Sequence, residues 1–157
     1  MKKLFCILLV LTLALAVPTV VGADSVTVSY TIGDEGYELS IPASVSPSME
    51  GTSQTIAVSS NHSGTDIIVK LESSEMGGSG TTGNPFMMCR NKDKADFDLK
   101  YSITDVTSAE NVEIGSTWKF NGNGSGNQSY ELLYKIISDV NYKPKGTYTD
   151  ILTFTVS

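Results

Sequence analysis

The side chains of this 157-residue chain that could carry catalytic chemistry are one histidine, two cysteines and the carboxylates. His62 lies in Asn61-His62-Ser63-Gly64, a run of residues typical of a turn. A serine hydrolase needs a base beside its nucleophile, and the chain has no Gly-x-Ser-x-Gly motif. A nucleophilic Cys89 would need the same histidine, and nothing in the sequence would orient it. We therefore predict no catalytic residues and no enzymatic activity.

Three aspartates in a short stretch could be interpreted as a calcium site, because Ca²⁺ prefers several oxygen ligands. Asp93, Asp96 and Asp98 are close together, and the last two share one side of a predicted strand. No glycine stands where a calcium loop needs one, and Lys92 and Lys94 intervene. The favoured interpretation is a solvated charged edge, so we expect no metal and no cofactor.

Three aromatic residues are weak candidates for a ligand site. Trp118, Tyr142 and Phe86 could stack on sugar rings, as the aromatic platforms of sandwich-type carbohydrate-binding modules do. The alternative for Trp118 is a core position, because a tryptophan on a short strand usually packs inward. Substitution of Trp118 by alanine separates the two: a platform residue affects binding, and a core residue affects stability.

Apolar and polar residues alternate along most of the chain, and this period of two indicates strands with one buried face. No stretch after residue 23 has sustained helical periodicity. The predicted strands are separated by turns and cover residues 26–32, 37–41, 56–58, 66–72, 97–103, 118–120, 130–136 and 147–156. About eight short strands of this kind predict an all-β fold, a two-sheet immunoglobulin-like β-sandwich.

Four segments carry more detailed expectations. Residues 33–36 should form a hairpin turn that links the first two strands. The glycine-rich residues 73–84 should form an exposed loop that crosses between the sheets. Residues 130–136 should be a central strand covered on both faces, because Leu133 and Ile137 are also apolar. Residues 147–156 should form one closing strand inside the fold.

The first 23 residues resemble a secretory signal peptide. Lys2 and Lys3 precede an apolar run from Leu4 to Val17, and small residues precede the expected cleavage after Ala23. An uncleaved membrane anchor is the alternative, although the run is shorter than the roughly 20 residues of a spanning helix. Cleavage would leave a single secreted domain, residues 24–157, with no membrane span, located outside the cell or at its surface.

The expected mature chain is acidic and contains one cysteine. Removal of two lysines leaves 9 basic and 17 acidic residues, a net charge of −8. Such a charge argues against nucleic acids and anionic membranes as partners, since both select for basic residues. Cys89 adjoins Phe86, Met87 and Met88, which favours burial over pairing between chains.

The second half of the chain resembles a known family. Leu99-Lys100-Tyr101, Asp105, Trp118, the strand 130–136 and the run Pro144-Lys145-Gly146-Thr147-Tyr148-Thr149-Asp150 occur in the order found in spore coat protein U-like domains and archaic chaperone–usher pilins. The resemblance covers about residues 86–157. Ile41-Pro42-Ala43-Ser44-Val45, in the first half, is more similar to secreted surface proteins of Gram-positive bacteria. Both resemblances imply a structural or adhesive protein.

Fold and resemblance together lead to two functional expectations. The first is a secreted, non-enzymatic, structural or adhesive surface protein whose partners are other surface proteins or glycans. The second is a small carbohydrate-binding module. In pilins of the family that the chain resembles, an N-terminal extension fills a groove of the next subunit. Here the turn at 33–36 should pair residues 26–32 within their own chain, so we expect the mature protein to be a monomer.

Overall fold

The computed structural model describes residues 25–32, 35–59, 64–90, 98–122 and 127–157. In those ranges the chain forms eleven strands and no helix, so the described residues include no helix able to cross a bilayer. The strands are β1 Ser25–Ile32, β2 Glu35–Pro42, β3 Thr52–Ser59, β4 Ile67–Ser74, β5 Phe86–Arg90, β6 Asp98–Asp105, β7 Glu110–Asn111, β8 Thr117–Phe120, β9 Gln128–Ile136, β10 Tyr148–Thr149 and β11 Leu152–Val156. The prediction of an all-β fold is confirmed.

The strands form two antiparallel sheets. The larger sheet has the order β1-β2-β3-β9-β6-β5-β10, and β7 pairs with part of β6. The smaller sheet has the order β11-β4-β8. Two strands, β5 and β7, were not assigned from the sequence, and β10 was predicted only as part of the closing strand. β7 contains two residues, too few for alternation to be visible.

The alternation predicted from sequence places the core between the two sheets. On β4, Ile67, Val69 and Leu71 are buried. On β6 of the larger sheet, Tyr101 and Ile103 are buried in the same apolar cluster. Residues two apart on a strand point to the same face, so each sheet presents one apolar face to the other.

The first two strands pair with each other within one chain, as the sequence predicts. Their register runs from Ser25 opposite Pro42 to Ile32 opposite Glu35. Two residues of the predicted turn, Gly33 and Asp34, lie outside the described residues. β2 then pairs with β3 over three residues only, from Glu38 to Ser40. Pro42 ends the strand, since proline cannot donate to a ladder.

The prediction of one closing strand inside the fold is wrong. Tyr148–Thr149 pairs with β5 in the larger sheet, and Leu152–Val156 pairs with β4 in the smaller one. The chain changes sheets at Asp150 and Ile151, and β11 is an edge strand rather than an inner one. The change occurs where a carboxylate interrupts the inward-facing row of apolar residues.

The loop between β4 and β5 crosses from the smaller sheet to the larger, as predicted, but part of it is buried. Met76 is 4% exposed, and Gly80 is also buried. Backbone hydrogen bonds order the loop: the amides of Ser79 and Gly80 both donate to the carbonyl of Asn84. The loop is therefore ordered by hydrogen bonds, although its polar, glycine-rich sequence predicted no such order.

The position of β9 is central, between β3 and β6, as predicted. Its outer face is not fully covered, because Leu133 is half-buried and Ile137 is 50% exposed. The prediction that both faces of β9 are covered, which rested on these two apolar residues, is therefore not met. On β5, Cys89 is 2% exposed, which confirms its predicted burial.

Candidate binding groove

An open groove of about 410 Å³ lies where the turn between β6 and β7 faces the loop between β7 and β8. Its residues come from β6, β7, β8, β9 and these two connections. They are Asp105, Ser108, Glu110, Asn111, Val112, Gly115, Ser116, Thr117, Trp118 and Tyr130. A volume of this size is within the range of small-molecule sites. This set of residues is called the β6–β8 groove below.

Asp105 holds one side of the β6–β8 groove in place. Its carboxylate is 8% exposed, and Oδ1 accepts hydrogen bonds from the amides of Thr107 at 2.8 Å and Ser108 at 3.3 Å. An aspartate that bonds the amides two and three residues later stabilises a turn. Oδ2 accepts a hydrogen bond from the indole Nε1 of Trp118 at 3.0 Å. Both oxygens are therefore engaged, and the carboxylate serves to build the groove.

The opposite side is held by backbone hydrogen bonds to the rest of the sandwich. The amide of Ile114 donates to the carbonyl of Ser79 at 2.8 Å, and the amide of Gly115 donates to the carbonyl of Leu71 at 2.8 Å. In return, the amide of Leu71 donates to the carbonyl of Ser116 at 3.0 Å. The loop is thus hydrogen-bonded to β4 and to the crossing loop, which fixes its position against the sandwich.

The groove offers hydrogen-bonding groups to solvent. Glu110, Asn111 and Thr117 are exposed, and all three are on strands. Among the described residues that line the groove there is no lysine, arginine, histidine or cysteine. The lining provides a carboxylate, an amide and hydroxyl groups, which suits binding of a neutral polar ligand.

Two of the three aromatic candidates are in the core, which corrects the idea of an aromatic platform. Phe86 is fully buried and stacks on Tyr101 with a centroid distance of 5.4 Å. Trp118 is 3% exposed and packs against Phe154 at 6.1 Å. Tyr142 is 87% exposed and lies in the segment after β9. Neither buried ring can offer its face to a sugar in this arrangement.

Of the other residues considered from the sequence, those that the structure describes do not line the groove. His62, Asp93 and Asp96 lie outside the described residues. Asp98 is half-buried, and its Oδ1 lies 3.2 Å from Nζ of Lys143, so it forms an ion pair. Within the described ranges, no cluster of three or more histidine, cysteine, aspartate or glutamate side chains could hold a metal ion.

A second polar centre lies where the chain changes sheets. Oδ2 of Asp150 accepts hydrogen bonds from the hydroxyl groups of Tyr101 and Ser74, both at 2.7 Å. Oδ1 accepts from the amides of Met76 at 2.9 Å and Ile151 at 2.8 Å. Burial, followed by the charge of Asp150, raises the pKa of Tyr101. These bonds connect β4, β6 and the final segment, so Asp150 has a structural role.

Sequence reasoning did not find the groove residues Glu110, Asn111 and Thr117. The available signal was Asp105 followed by Thr107 and Ser108, which is a turn pattern rather than a binding motif. The groove forms only when β8 brings Trp118 to Asp105, thirteen residues away in sequence. Neither a scan of protein-family models nor a search of curated proteins finds a match to this chain.

Proposed function

We propose that this protein is a secreted, non-enzymatic β-sandwich that acts as a structural or adhesive component of the cell surface. The observation that carries the proposal is the β6–β8 groove. It is large enough for a ligand and its walls are hydrogen-bonded to the sandwich, and its lining, as far as the structure describes the chain, has no paired nucleophile and base. A site of this composition suits holding a partner rather than transforming one.

The sequence supports the same proposal. Residues 1–23 resemble a signal peptide, and the acidic remainder, at a net charge of −8, is unsuited to nucleic acids or anionic membranes. The resemblance of the second half to pilin-like domains also favours a surface role. Partners would be other surface proteins or glycans.

Location and role can be tested in the cells that produce the protein. We expect mass spectrometry to find a mature chain that begins at Asp24. An antibody should label intact cells, and mild protease treatment should remove the label. Deletion of the gene should reduce attachment or weaken the surface layer, and the wild-type gene should restore it. Recovery from the cytoplasm with residues 1–23 attached would overturn the proposal.

We also propose that the mature protein is a monomer, because β1 forms its ladder with β2 of the same chain. The measurement is light scattering of the purified chain from residue 24, beside a shorter chain that begins at Gly33. The expected result is the monomer mass for the mature chain. Heat-resistant ladders that disappear on truncation would instead show strand exchange between subunits.

The second candidate function is a small carbohydrate-binding module. Burial of Phe86 and Trp118 removes the aromatic platform on which the sequence argument rested. The observation that now favours this function is the polar lining of the β6–β8 groove. Hydroxyl, amide and carboxylate groups held on a rigid frame are the groups that bind sugar hydroxyls.

A further inference from the structure

We infer that the β6–β8 groove binds a short, uncharged oligosaccharide and discriminates against acidic ones, with Glu110, Asn111 and Thr117 as the recognition residues. The inference rests on the carbohydrate-binding alternative given above. It moves recognition from the aromatic residues considered first to polar residues of a groove that the buried Trp118 also lines.

The charge of the groove argues for a neutral ligand. Glu110 is exposed, and within the part of the chain that the structure describes no cationic side chain lines the groove to balance it. A carboxylate accepts strong hydrogen bonds from hydroxyl groups but repels another carboxylate. Sugars that carry uronic or sialic acid should therefore be rejected, whereas neutral sugars can donate to Glu110.

Strand pairing fixes the backbone at two of the polar residues. Asn111 pairs with Thr104 on β6, and Thr117 pairs with Lys70 on β4. Because the backbone is already ordered there, only side-chain freedom is lost on binding, which favours affinity for weak polar ligands. The amide of Asn111 can donate and accept, and the hydroxyl of Thr117 can do both as well. Together they complement the mixed donors and acceptors of a sugar ring.

Tyr130 adds an aromatic side chain to the lining of the groove. Its ring packs edge-on against Phe120 with a centroid distance of 5.2 Å, and its hydroxyl donates to the carbonyl of Lys119 at 2.9 Å. Tyr130 is half-buried, so part of the side chain is accessible and could contact the C–H groups of a sugar. Partial aromatic contact with polar neighbours is typical of an amphipathic ligand site.

The experiment measures binding of the mature chain to defined tetrasaccharides. The neutral probes are the tetramers of N-acetylglucosamine, glucose and mannose, and the acidic probe is tetragalacturonate. Amide chemical shifts in ¹⁵N-labelled protein give the site and the affinity together. We compare the wild-type protein with Glu110→Gln and Asn111→Ala. The matched control is Glu113→Gln, an exposed carboxylate on the adjoining loop that does not line the groove.

The expected result is binding of at least one neutral tetramer, with the largest shift changes at Ser108, Glu110, Asn111 and Thr117. Asn111→Ala should weaken binding roughly tenfold through loss of a hydrogen-bonding group. Glu110→Gln should weaken neutral binding and relax the rejection of tetragalacturonate. Glu113→Gln should bind as the wild type does, and all variants should melt at the wild-type temperature.

Three outcomes would overturn the inference: no binding to any neutral tetramer, binding that neither groove variant alters, or preference for tetragalacturonate. Binding that is unchanged by the groove variants would keep the carbohydrate function and remove this site. Absence of all sugar binding from a chain that still labels the cell surface would leave the structural or adhesive proposal standing.

Discussion

Trp118 and Asp105 act as a pair, and each explains the burial of the other. If the two side chains did not bond each other, the indole N–H of Trp118 would be an unsatisfied donor in the core. Oδ2 of Asp105 would be an unsatisfied acceptor beside it. Their hydrogen bond of 3.0 Å satisfies both, so a charged and a large aromatic residue can be buried together. The same bond connects the turn after β6 to β8.

Substitutions at Trp118 should affect stability first. We expect Trp118→Ala to lower the free energy of unfolding by about 3–5 kcal/mol, since it removes a buried aromatic side chain. Trp118→Phe should cost about 2 kcal/mol, because Oδ2 of Asp105 loses its donor. Tyr142→Ala is the control, since Tyr142 is 87% exposed. Urea unfolding measures all three, and a Trp118→Ala protein as stable as the wild type would remove this residue from the core.

Gly115 and Gly83 allow the cost of an unfavourable backbone conformation to be measured without any cost from side-chain crowding. An added Cβ meets no atom within 4 Å at Gly115 or at Gly83, but only Gly115 has a left-handed φ, of +98°. We expect Gly115→Ala to destabilise the protein by about 1 kcal/mol or more, because alanine is strained there. Gly83→Ala should be neutral or slightly stabilising. Equal melting temperatures for the two variants would contradict this assignment.

At the scale of elements, the important feature is the change of sheet between β10 and β11. Asp150 accepts four hydrogen bonds at this point, from two hydroxyl groups and two backbone amides. It thereby fixes the crossing loop and the final segment against β6. The carboxylate stands where a continuous strand would place an apolar side chain.

Removal of the Asp150 carboxylate should loosen both connections. We expect Asp150→Ala to lower the free energy of unfolding by about 3 kcal/mol or more, because the Tyr101 hydroxyl and the Met76 amide lose their acceptor. Tyr101→Phe should cost about 1–2 kcal/mol on the same principle. Asp139→Ala, which removes a single exposed hydrogen bond to Asn141, is the control. Hydrogen exchange should show faster opening at Met76 in the Asp150 variant, and equal protection there would contradict this role.

The sequence predicted those elements in which alternation is long enough to be read. Residues such as Val69, Tyr101 and Leu132 lie on strands of eight or nine residues and face inward as expected. The last segment was predicted as one strand because Tyr148, Leu152 and Phe154 continue the same alternation on both sides of the change of sheet. Asp150 occupies a position of the same alternation. An acidic residue among inward-facing apolar residues was the local sign that the chain changes its neighbouring strand there. Its partner Ser74 is 76 residues away, which no local pattern reports.

The candidate groove was even less visible. Glu110 and Asn111 form a strand of two residues, and the groove around them is completed by residues of β6, β8, β9 and the connecting segments. Single exposed polar residues carry no periodic signal. Trp118 was considered as a ligand residue because its ring can stack on sugars. Whether it is buried depends on tertiary packing. Composition alone could not distinguish these two environments.

At the scale of the whole molecule, stability should fall at alkaline pH. Burial raises the pKa values of Tyr101 and Tyr134, with the charge of Asp150 adding to the effect at Tyr101. Above the unfolded-chain pKa of about 10, the unfolded chain therefore loses these protons before the folded one does. Stability should be unaffected by these groups below pH 10 and decrease above it, by about 1.4 kcal/mol per pH unit for each tyrosine.

The test is urea unfolding between pH 8 and pH 11. Tyr134→Phe should reduce the slope of stability against pH above 10 by about the contribution of one tyrosine. Tyr142→Phe, at an exposed position, should keep the wild-type slope. A Tyr134→Phe protein whose slope equals that of the wild type would show that this hydroxyl ionises equally in both states.

The pairing of β4 determines when the smaller sheet can form. β4 lies at the centre of the smaller sheet, and both of its neighbours, β8 and β11, are far along the chain from it. During synthesis, the apolar face of β4 therefore has no strand to pair with until most of the domain has been made. The smaller sheet cannot assemble hairpin by hairpin, and its completion should be a late, cooperative step. For the secretion proposed above, this late step would leave the chain open while it passes through an export channel.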